Sequence, residues 1–392
     1  MADYLLGDIV EFIGGGTPDK SKPEYWNGSI PWASVKDLKS SHLTQTQDFI
    51  SDEGLKASSS KLIPPNTVII PTRMAVGRAA INSKPMAINQ DLKALKPKIK
   101  LETKFLLHLM LANALILISK ATGATVQGIR LEHLKSLKVS IPPLEEQKRI
   151  AGILDAAEDL RQKRQRSLKL LDELKQSIFV DMFLKSESSD WPVEDIENLS
   201  KKMRTGPFGS QLLHSEFVDQ GVAVLGIDNA VNNEFLWSKR RYISFEKYDQ
   251  LKRFTVEPDD VLITIMGTIG RCAVVPQNIP LAINTKHLCS ITLDQKKMMP
   301  TYLHAAFLNH PEILRQLGMQ SKGAVMPGLN MGIIKTLKHP IPPLEIQKKF
   351  TERVMVLNEQ KATLLTSHEK LDELFTSLQH KAFAGELSGT AA

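Results

Sequence analysis

The chain has 392 residues, 42% of them hydrophobic and 24% charged, and its formal net charge is +7 at pH 7. This length suits two globular units of about 140–150 residues each, with room for connecting elements. A basic balance favours a polyanionic partner, although modestly basic soluble proteins are common. The N-terminus lacks the apolar region of a signal peptide, and the apolar run over 105–118 is too short to span a bilayer. We therefore expect a cytoplasmic protein with no membrane partner.

The first predicted domain covers residues 1–143 and mixes short strands with a helix. β-rich runs such as Val68–Ile70 and Ala79–Ile81 are separated by Gly, Pro, Asn and Ser, and a helix is predicted near 103–118. Many short strands with one or two helices are typical of an α+β domain with a small sheet. Residues 1–140 carry 18 Lys and Arg against 12 Asp and Glu, so this domain is basic.

A long helix is predicted over 144–185. Pro142 and Pro143 end the preceding domain, glutamates occupy the expected first helical turn, and no further proline follows in the segment. Apolar residues then recur at a 4-3 heptad spacing, which is typical of a helix that packs along a seam. The seam residues that we assign to helix packing and partner binding are Ile150, Leu154, Leu168, Leu171 and Ile178.

The second predicted domain, 186–343, resembles the first in its pattern. Strands are predicted at Val222–Ile227, Val261–Ile265 and Cys272–Val275, with a helix near 301–317. Residues 344–385 then form a second long helix, and 386–392 form a tail. By the same heptad spacing, the seam residues of this second long helix are Phe350, Val354, Leu357, Leu364, Leu371, Phe375 and Leu378.

An internal repeat relates the two halves of the chain. Residues 141–148 read IPPLEEQK and residues 341–348 read IPPLEIQK, so seven of eight positions are identical at an offset of 200. The chain is therefore an internal duplication, and we expect its function to be divided between two similar parts. The shared register of the helices favours an antiparallel coiled-coil pair with one domain at each end, in a pseudo-twofold arrangement. Two unrelated amphipathic surface helices are the alternative.

Polar residues interrupt both apolar seams. Arg161 and Arg164 occupy seam positions of the first long helix, and Lys361 and His368 occupy those of the second. Charged side chains at such positions weaken helix pairing. They indicate either an imperfect seam or a face reserved for a partner.

The sequence contains none of the common catalytic or metal-binding motifs that we searched for. It lacks a G-x-x-x-x-G-K-[ST] phosphate loop, an H-E-x-x-H zinc motif, a G-x-S-x-G nucleophile elbow and the Asn-Pro-Pro-aromatic signature of amino-methyltransferases. Cys272 and Cys289 have no ligand spacing and are expected to be buried, reduced thiols. We predict that the chain is not an enzyme and holds neither a metal nor a cofactor.

Polar residues in loops recur in both domains. Arg78 and Arg271 each follow a glycine, and Asn89 and Asn284 each follow Ala-Ile. Arg reads guanine and Asn or Gln reads adenine in the major groove, while Lys and backbone amides hold phosphates. Structural turns and solvated faces are the alternative for any single residue. The full set of predicted DNA-binding residues is Thr17, Arg73, Arg78, Asn89, Gln90, Lys93, Arg130, Arg204, Ser210, Lys239, Arg240, Arg241, Arg271, Asn284, Lys286 and Lys322.

The whole chain resembles the specificity subunit of Type I restriction–modification systems. The resemblance rests on the duplicated octet before each long helix, Gly-Gly-Thr-Pro at 15–18, Ala-Ile-Asn-Gln at 87–90 and Trp-Pro at 191–192. It implies two target recognition domains that each read one arm of a split DNA site. It further implies that the helix pair sets the gap and docks two adenine-methylating subunits, which bind S-adenosylmethionine. Restriction/translocase subunits can join such a complex.

One stretch departs from the family pattern. The second domain has Thr-Gly-Pro-Phe-Gly-Ser at 205–210 where the first has Gly-Gly-Gly-Thr-Pro, and the two domains differ enough to imply an asymmetric target. Two other functions remain open on the sequence alone. A divergent self-sufficient DNA methyltransferase would bind S-adenosylmethionine by itself, and a coiled-coil scaffold would show no salt-dependent affinity for DNA.

Overall fold

The computed structural model describes residues 1–123, 127–185, 191–237, 239–318 and 328–387. The chain divides into two compact units, which we call unit 1 (Met1–Gln165 with Thr366–Ala392) and unit 2 (Arg166–Leu365). Each unit thus combines one predicted domain with parts of both long helices. In the described ranges, no helix is long and apolar enough to cross a membrane. Nor do three or more His, Cys, Asp or Glu side chains gather there in a way that could hold a metal ion.

The described residues of unit 1 form three sheets, ordered β1-β11, β2-β10-β7-β8-β4 and β5-β3-β9-β6. Its strands are β1 (Ala2–Leu5), β2 (Val10–Gly14), β3 (Ile30–Ala33), β4 (His42–Leu43), β5 (Asp48–Ile50), β6 (Leu62–Ile63), β7 (Val68–Pro71), β8 (Ala80–Asn82), β9 (Met86–Ile88), β10 (Leu92–Pro97) and β11 (Lys138–Ile141). Its helices are α1 (Leu6–Ile9), α2 (Asp52–Lys56), α3 (Thr103–Ala112), α4 (Ala114–Ser119), α5 (Leu131–Lys135) and the first part of α6 (Leu144–Phe183).

In unit 2, the part of the chain that the structure describes also forms three sheets, ordered β12-β22, β13-β21-β18-β19 and β14-β16-β15-β20-β17. The strands are β12 (Val193–Asp195), β13 (Ser200–Thr205), β14 (Phe217–Val218), β15 (Val222–Leu225), β16 (Tyr242–Ile243), β17 (Thr255–Val256), β18 (Val261–Thr264), β19 (Cys272–Val274), β20 (Ala282–Asn284), β21 (Leu288–Leu293) and β22 (Lys338–Pro340). The helices are α7 (Ile196–Leu199), α8 (Phe245–Leu251), α9 (Pro300–Asn309), α10 (Pro311–Gln316), α11 (Met331–Lys335) and α12 (Leu344–Ala384), whose last part belongs to unit 1.

The central strand of each unit is buried on both faces, which explains its continuous apolar run. In β7, Val68 and Ile70 face one core cluster while Ile69 faces another, as the alternation of side chains along a strand requires. In β18, Val261 and Leu262 divide between two clusters in the same way. The predicted strands are confirmed to within one or two residues.

The predicted helix near 103–118 is two helices, α3 and α4. The Asn113 side chain donates a hydrogen bond to the Leu109 carbonyl at 2.8 Å and so competes with the helical backbone pattern at the break. The predicted helix near 301–317 also breaks, between α9 and α10. There the cause is Pro311, which lacks the backbone N–H that a continuous helix needs.

The two units share two four-stranded series with the same order and pairing directions, while, among the described residues, β4 of unit 1 and β14 of unit 2 have no counterpart in the other unit. The series β2-β10-β7-β8 matches β13-β21-β18-β19, and β5-β3-β9-β6 matches β16-β15-β20-β17. The series β5-β3-β9-β6 and β16-β15-β20-β17 each contain one parallel pair, which is β3 with β9 in unit 1 and β15 with β20 in unit 2. The sequence repeat therefore encodes a repeated fold.

Segments of α6 and α12 run antiparallel within each unit. In unit 1, Arg149 contacts the Leu387 carbonyl at 2.5 Å and Arg161 contacts Asp372 at 2.6 Å. Residue numbers therefore increase along one segment while those of its contacts decrease along the other. In unit 2, Asp172 contacts Lys361 at 2.8 Å. Met182 lies further along α6 and contacts Arg353, which comes before Lys361 in α12. The seam residues of both helices are buried or half-buried, whereas the residues between them are mostly exposed.

The polar seam residues Arg161 and Lys361 have partners inside their own units. Arg161 pairs with Glu158 and Asp372, and its guanidinium lies 4.7 Å from the centre of the Phe375 ring. Lys361 pairs with Asp172. The structure therefore favours the imperfect-seam interpretation for these two residues over a face reserved for a partner.

Candidate nucleic-acid interface

A turn of unit 1, residues 89–92, links β9 to β10, and only Gln90 of its four residues is exposed. The Asn89 amide donates to the Ala33 carbonyl at 2.9 Å, and the Asn89 side chain accepts a bond from the Asp91 amide at 3.1 Å. Asn89 is only 6% exposed, so its side chain builds the turn and faces no groove. The same geometry leaves Gln90 exposed at the tip. We therefore revise the role of Asn89 from base contact to turn former.

A glycine allows a second loop to approach this turn. A Cβ atom on Gly15 would collide with the Ile88 carbonyl oxygen, so only glycine permits this close approach. The loop then brings the Thr17 hydroxyl to the Gln90 side chain, to whose Oε1 it donates a hydrogen bond. Two predicted residues that are 73 positions apart in sequence thus meet at one surface.

Basic side chains surround the tip. The Lys93 ammonium lies 3.1 Å from the Gln90 carbonyl, and partial burial lowers the pKa of Lys93 despite the nearby Asp91. Arg73, which is 60% exposed, is 3.8 Å from the Asp91 carboxylate. Arg130 is also exposed, and the residue before it bonds to the Thr72 carbonyl. The structure thus brings Arg73, Gln90, Lys93 and Thr17 together, with Arg130 on an adjoining segment.

Arg78 and Arg271 occupy matching positions in the loops after β7 and β18. Each follows a glycine with positive φ, 93° at Gly77 and 78° at Gly270. The Arg78 side chain donates to the Leu38 carbonyl at 3.0 Å, so it is partly committed to the fold. Arg271 is exposed, and its backbone amide donates to the Thr264 hydroxyl at 2.8 Å.

Unit 2 contains the same turn at residues 285–288, but in a register that differs by one residue from the sequence match. Ala33 pairs with Ile88 in unit 1, whereas Leu225 pairs with Asn284 in unit 2. Asn284 therefore matches Ile88, and it is a fully buried strand residue that cannot reach DNA from this position. The predicted equivalence of Asn89 and Asn284 is thus wrong.

The corrected register assigns Lys286 to the position of Gln90. The Thr285 amide donates to the Leu225 carbonyl at 2.9 Å, as the Asn89 amide does to Ala33. The Ile265 amide bonds the His287 carbonyl at 2.9 Å, as Thr72 bonds Asp91. Lys286 is half-buried at the tip of this turn.

Positive charge gathers around this second turn. The pKa of His287 is lowered by burial first and then by the nearby cations Lys286 and Arg241. Arg241 is partly neutralised by an ion pair with Asp228. Lys239 and Arg240 are exposed on the same loop, and the Arg240 guanidinium lies 5.7 Å from the centre of the Trp237 ring.

Arg204 is a buried structural residue. Its side chain is 5% exposed and forms an ion pair with Asp260, which is fully buried. Arg204 also donates to Thr292 at 2.9 Å, and Ser290 donates to Asp260 at 2.9 Å. Such a buried, hydrogen-bonded ion pair would lose several contacts if it opened, so we remove Arg204 from the DNA-binding set. Ser210 is exposed in a short helical turn, Gly209–Gln211, and Lys322 lies outside the described residues.

The helix seam residues fall into two groups. Ile150 and Leu154 of unit 1 and Phe350, Val354 and Leu357 of unit 2 are at most 8% exposed and belong to the cores. The remaining predicted seam residues are half-buried: Leu168, Leu171, Ile178, Leu364, Leu371, Phe375 and Leu378. These residues therefore serve packing within the chain, and other residues form the exposed helix surface.

Two residues at or near the unit 2 turn, Phe208 and His287, were not predicted from the sequence. Gly206 corresponds to Gly15, because a Cβ on Gly206 would collide with the Asn284 carbonyl oxygen. Phe208, which is 48% exposed, lies two residues after Gly206, as Thr17 lies two residues after Gly15. His287 was missed because no motif marks it. The signal that could have found Phe208 is the glycine that begins both Gly-Gly-Thr at 15–17 and Gly-Pro-Phe at 206–208.

Fold and surfaces define a duplicated protein whose two similar mixed α/β domains present matching turns with different side chains. A family model described as the Type I restriction modification DNA specificity domain matches residues 1–170 and 199–374. These ranges include most of the chain, which therefore belongs to this family.

Relatives of known sequence and structure agree with this assignment. The EcoR124I/EcoR124II specificity subunit of Escherichia coli is 38% identical over 162 residues, which span 40% of each chain. The MjaVIII specificity subunit of Methanocaldococcus jannaschii is 20% identical over 399 residues, 97% of this chain and 92% of the relative. The S subunit of a Type-I restriction-modification system from M. genitalium shares the fold, with a TM-score of 0.60 at 15% identity over 97% of this chain and 96% of that one.

The match to the E. coli protein thus spans about two fifths of that relative's own length. All three proteins are described as specificity (S) subunits. The comparisons favour neither a self-sufficient methyltransferase nor a scaffold without a role in DNA recognition.

Proposed function

We propose that this chain is the non-catalytic DNA sequence-specificity subunit of a Type I restriction–modification complex. Each domain reads one arm of a split, asymmetric double-stranded DNA site. The observation that carries the proposal is the pair of matching turns, 89–92 and 285–288, which have corresponding backbone contacts but different side chains at the tip. Equal backbones with unequal side chains suit two arms of different sequence.

The long helices form the spacer in this proposal. They pair as an antiparallel coiled coil, with the two domains in a pseudo-twofold arrangement. The heptad seam and the antiparallel contacts within each unit support this assignment. The 40 residues of α6 give a length of about 60 Å, enough to separate half-sites one DNA turn apart, roughly 34 Å.

Two methyltransferase subunits dock on the exposed faces of the helices and supply S-adenosylmethionine, while this chain holds no cofactor. The support is a set of large apolar side chains that α6 and α12 leave exposed. Leu160 (52%) and Leu374 (49%) lie in unit 1, and Met355 (56%) and Val356 (53%) lie in unit 2. Restriction/translocase subunits join the same complex, which acts in the cytoplasm.

The test is co-expression of the chain with its methyltransferase subunits, followed by mapping of every methylated adenine in the host DNA. The proposal predicts one split motif with two short arms and a fixed gap. Methyltransferase subunits expressed without this chain are the control, and they should leave that motif unmethylated. A stable complex that methylates no split motif would contradict the proposal.

A second measurement separates the other two functions. The purified chain should show DNA affinity that falls steeply with salt concentration, because its Lys and Arg side chains displace counterions from the phosphates. Affinity that is absent at low salt would favour the scaffold. Binding of S-adenosylmethionine by the chain alone would favour a self-sufficient methyltransferase.

A further inference from the structure

The tip of each turn combines a backbone held by hydrogen bonds with a side chain suited to reading a base. In unit 1 the tip is Gln90, and four hydrogen bonds made by Asn89, Thr72 and the Asp91 amide hold the residues on either side of it. In unit 2 the tip is Lys286, between Thr285 and His287, whose backbones make the two corresponding backbone–backbone hydrogen bonds, to Leu225 and Ile265. A base reader needs this rigidity, because a loose side chain loses entropy on binding.

The environment of Gln90 orients its amide. Thr17 donates to the side-chain oxygen, which still has a second lone pair, and the amide nitrogen carries two donors. An acceptor beside a donor is the pattern that matches N6 and N7 of adenine in the major groove. Gly15 is needed for this arrangement because any side chain there would push the Thr17 loop away.

Lys286 offers only donors. Lys286 directly precedes His287 in this turn, and both Lys286 and Arg241 lower the pKa of the His287 ring after burial does. A donor without an acceptor matches O6 and N7 of guanine and is poorly matched to the N6 amino group of adenine. The positive surroundings also attract the DNA backbone.

We propose that the turn-tip residue is the arm-specific base reader: Gln90 selects an A·T pair in one arm, and Lys286 selects a G·C pair in the other. The inference rests on the proposed function and adds which residue reads and what it reads. Thr17 is a positioning residue in this scheme, since it acts through Gln90.

Exchange of the two tip residues tests the inference in the full chain with its methyltransferase subunits. Gln90→Lys should change the preferred base pair at one position of one arm from A·T to G·C, and Lys286→Gln should make the opposite change in the other arm. Each change should alter relative methylation on the order of 10-fold to 100-fold. The matched controls are Gln47→Lys and Lys296→Gln, at exposed positions away from the turns, which should keep the wild-type motif.

Positioning by Thr17 has its own readout. Thr17→Ala should weaken the discrimination at the Gln90-dependent position without changing the preferred base, and Thr17→Ser should restore it. An effect spread over all positions of both arms would overturn the positioning role.

The outcomes separate this inference from the function on which it rests. If the wild-type complex methylates a split motif and both exchanges leave that motif and its preferences unchanged, the inference is wrong and the function stands. If the wild type itself yields no split motif, the function fails. Should an exchange abolish methylation, selection of bound duplexes from a randomised library by the purified complex decides between a changed base and no change.

Discussion

His339 is fully buried in unit 2, and neither ring nitrogen finds a hydrogen-bond partner among the described residues. Burial lowers the pKa of His339 to about 3, with a further contribution from nearby His310, because the charged ring has no polar contact to stabilise it. The pKa values of His304 and His310 are also lowered, chiefly by burial. Unit 2 therefore keeps these rings neutral in the folded state.

The consequence is acid-sensitive stability. Between about pH 6.5 and pH 3 the unfolded chain binds a proton at His339 that the folded chain does not, so stability falls as the pH drops through this window. Above pH 6.5 both states are neutral and the effect disappears. His339→Leu should therefore stabilise the protein by about 2 kcal/mol more at pH 5 than at pH 7, measured by urea unfolding.

A matched control keeps the test specific to burial. His214 is exposed, so His214→Leu should leave the pH dependence unchanged. Equal unfolding midpoints of the His339→Leu variant and the wild type at both pH values would show that the ring is not neutral and buried.

The loop that carries Glu234 ties the second recognition domain to both long helices within unit 2. The Glu234 carboxylate lies 3.2 Å from Lys175 of α6 and 2.8 Å from Lys361 of α12. Burial alone would raise the pKa of Glu234, but the two lysines outweigh it and hold that pKa below its usual value. Unit 1 uses a different contact, since Asp155 of α6 accepts a 2.6 Å bond from Lys104 of α3.

Removing the Glu234 charge should loosen this loop. Glu234→Gln should speed amide hydrogen exchange over residues 227–237 and lower the free energy of unfolding by roughly 1 kcal/mol, a small effect because the side chain is 41% exposed and solvent screens the pairs. Glu246→Gln, at an exposed position of α8, is the control and should change neither quantity. Unaltered exchange in Glu234→Gln would contradict the tethering role.

At this scale the sequence predicted elements better than sites. Short β-rich apolar runs located β7 and β18, and the heptad spacing located the long helices, because burial selects both patterns. The sequence match of Asn89 with Asn284 failed, because one residue more or less in a loop changes the register without changing composition. Arg204 was misplaced because its partner Asp260 is distant in sequence, and no local pattern marks a buried ion pair.

Duplication is the main feature of the whole molecule. Two units repeat two four-stranded series and one turn geometry, while the residues at matching positions differ: Gln90 against Lys286, and Thr17 against Phe208. The repeat was visible in the octets at 141–148 and 341–348, yet the matching surfaces became visible only through strand register. The central claim is that each domain independently reads one arm of the DNA site.

Replacement of residues 1–143 by a second copy of residues 186–343 tests that claim most directly. The altered chain would be co-expressed with the methyltransferase subunits, and its methylated adenines would be mapped beside those of the wild type. We predict a symmetric motif in which both arms carry the wild-type sequence of the second domain, as an inverted repeat. Persistence of the wild-type first arm would contradict the account, because no residue of the first domain would remain to read it.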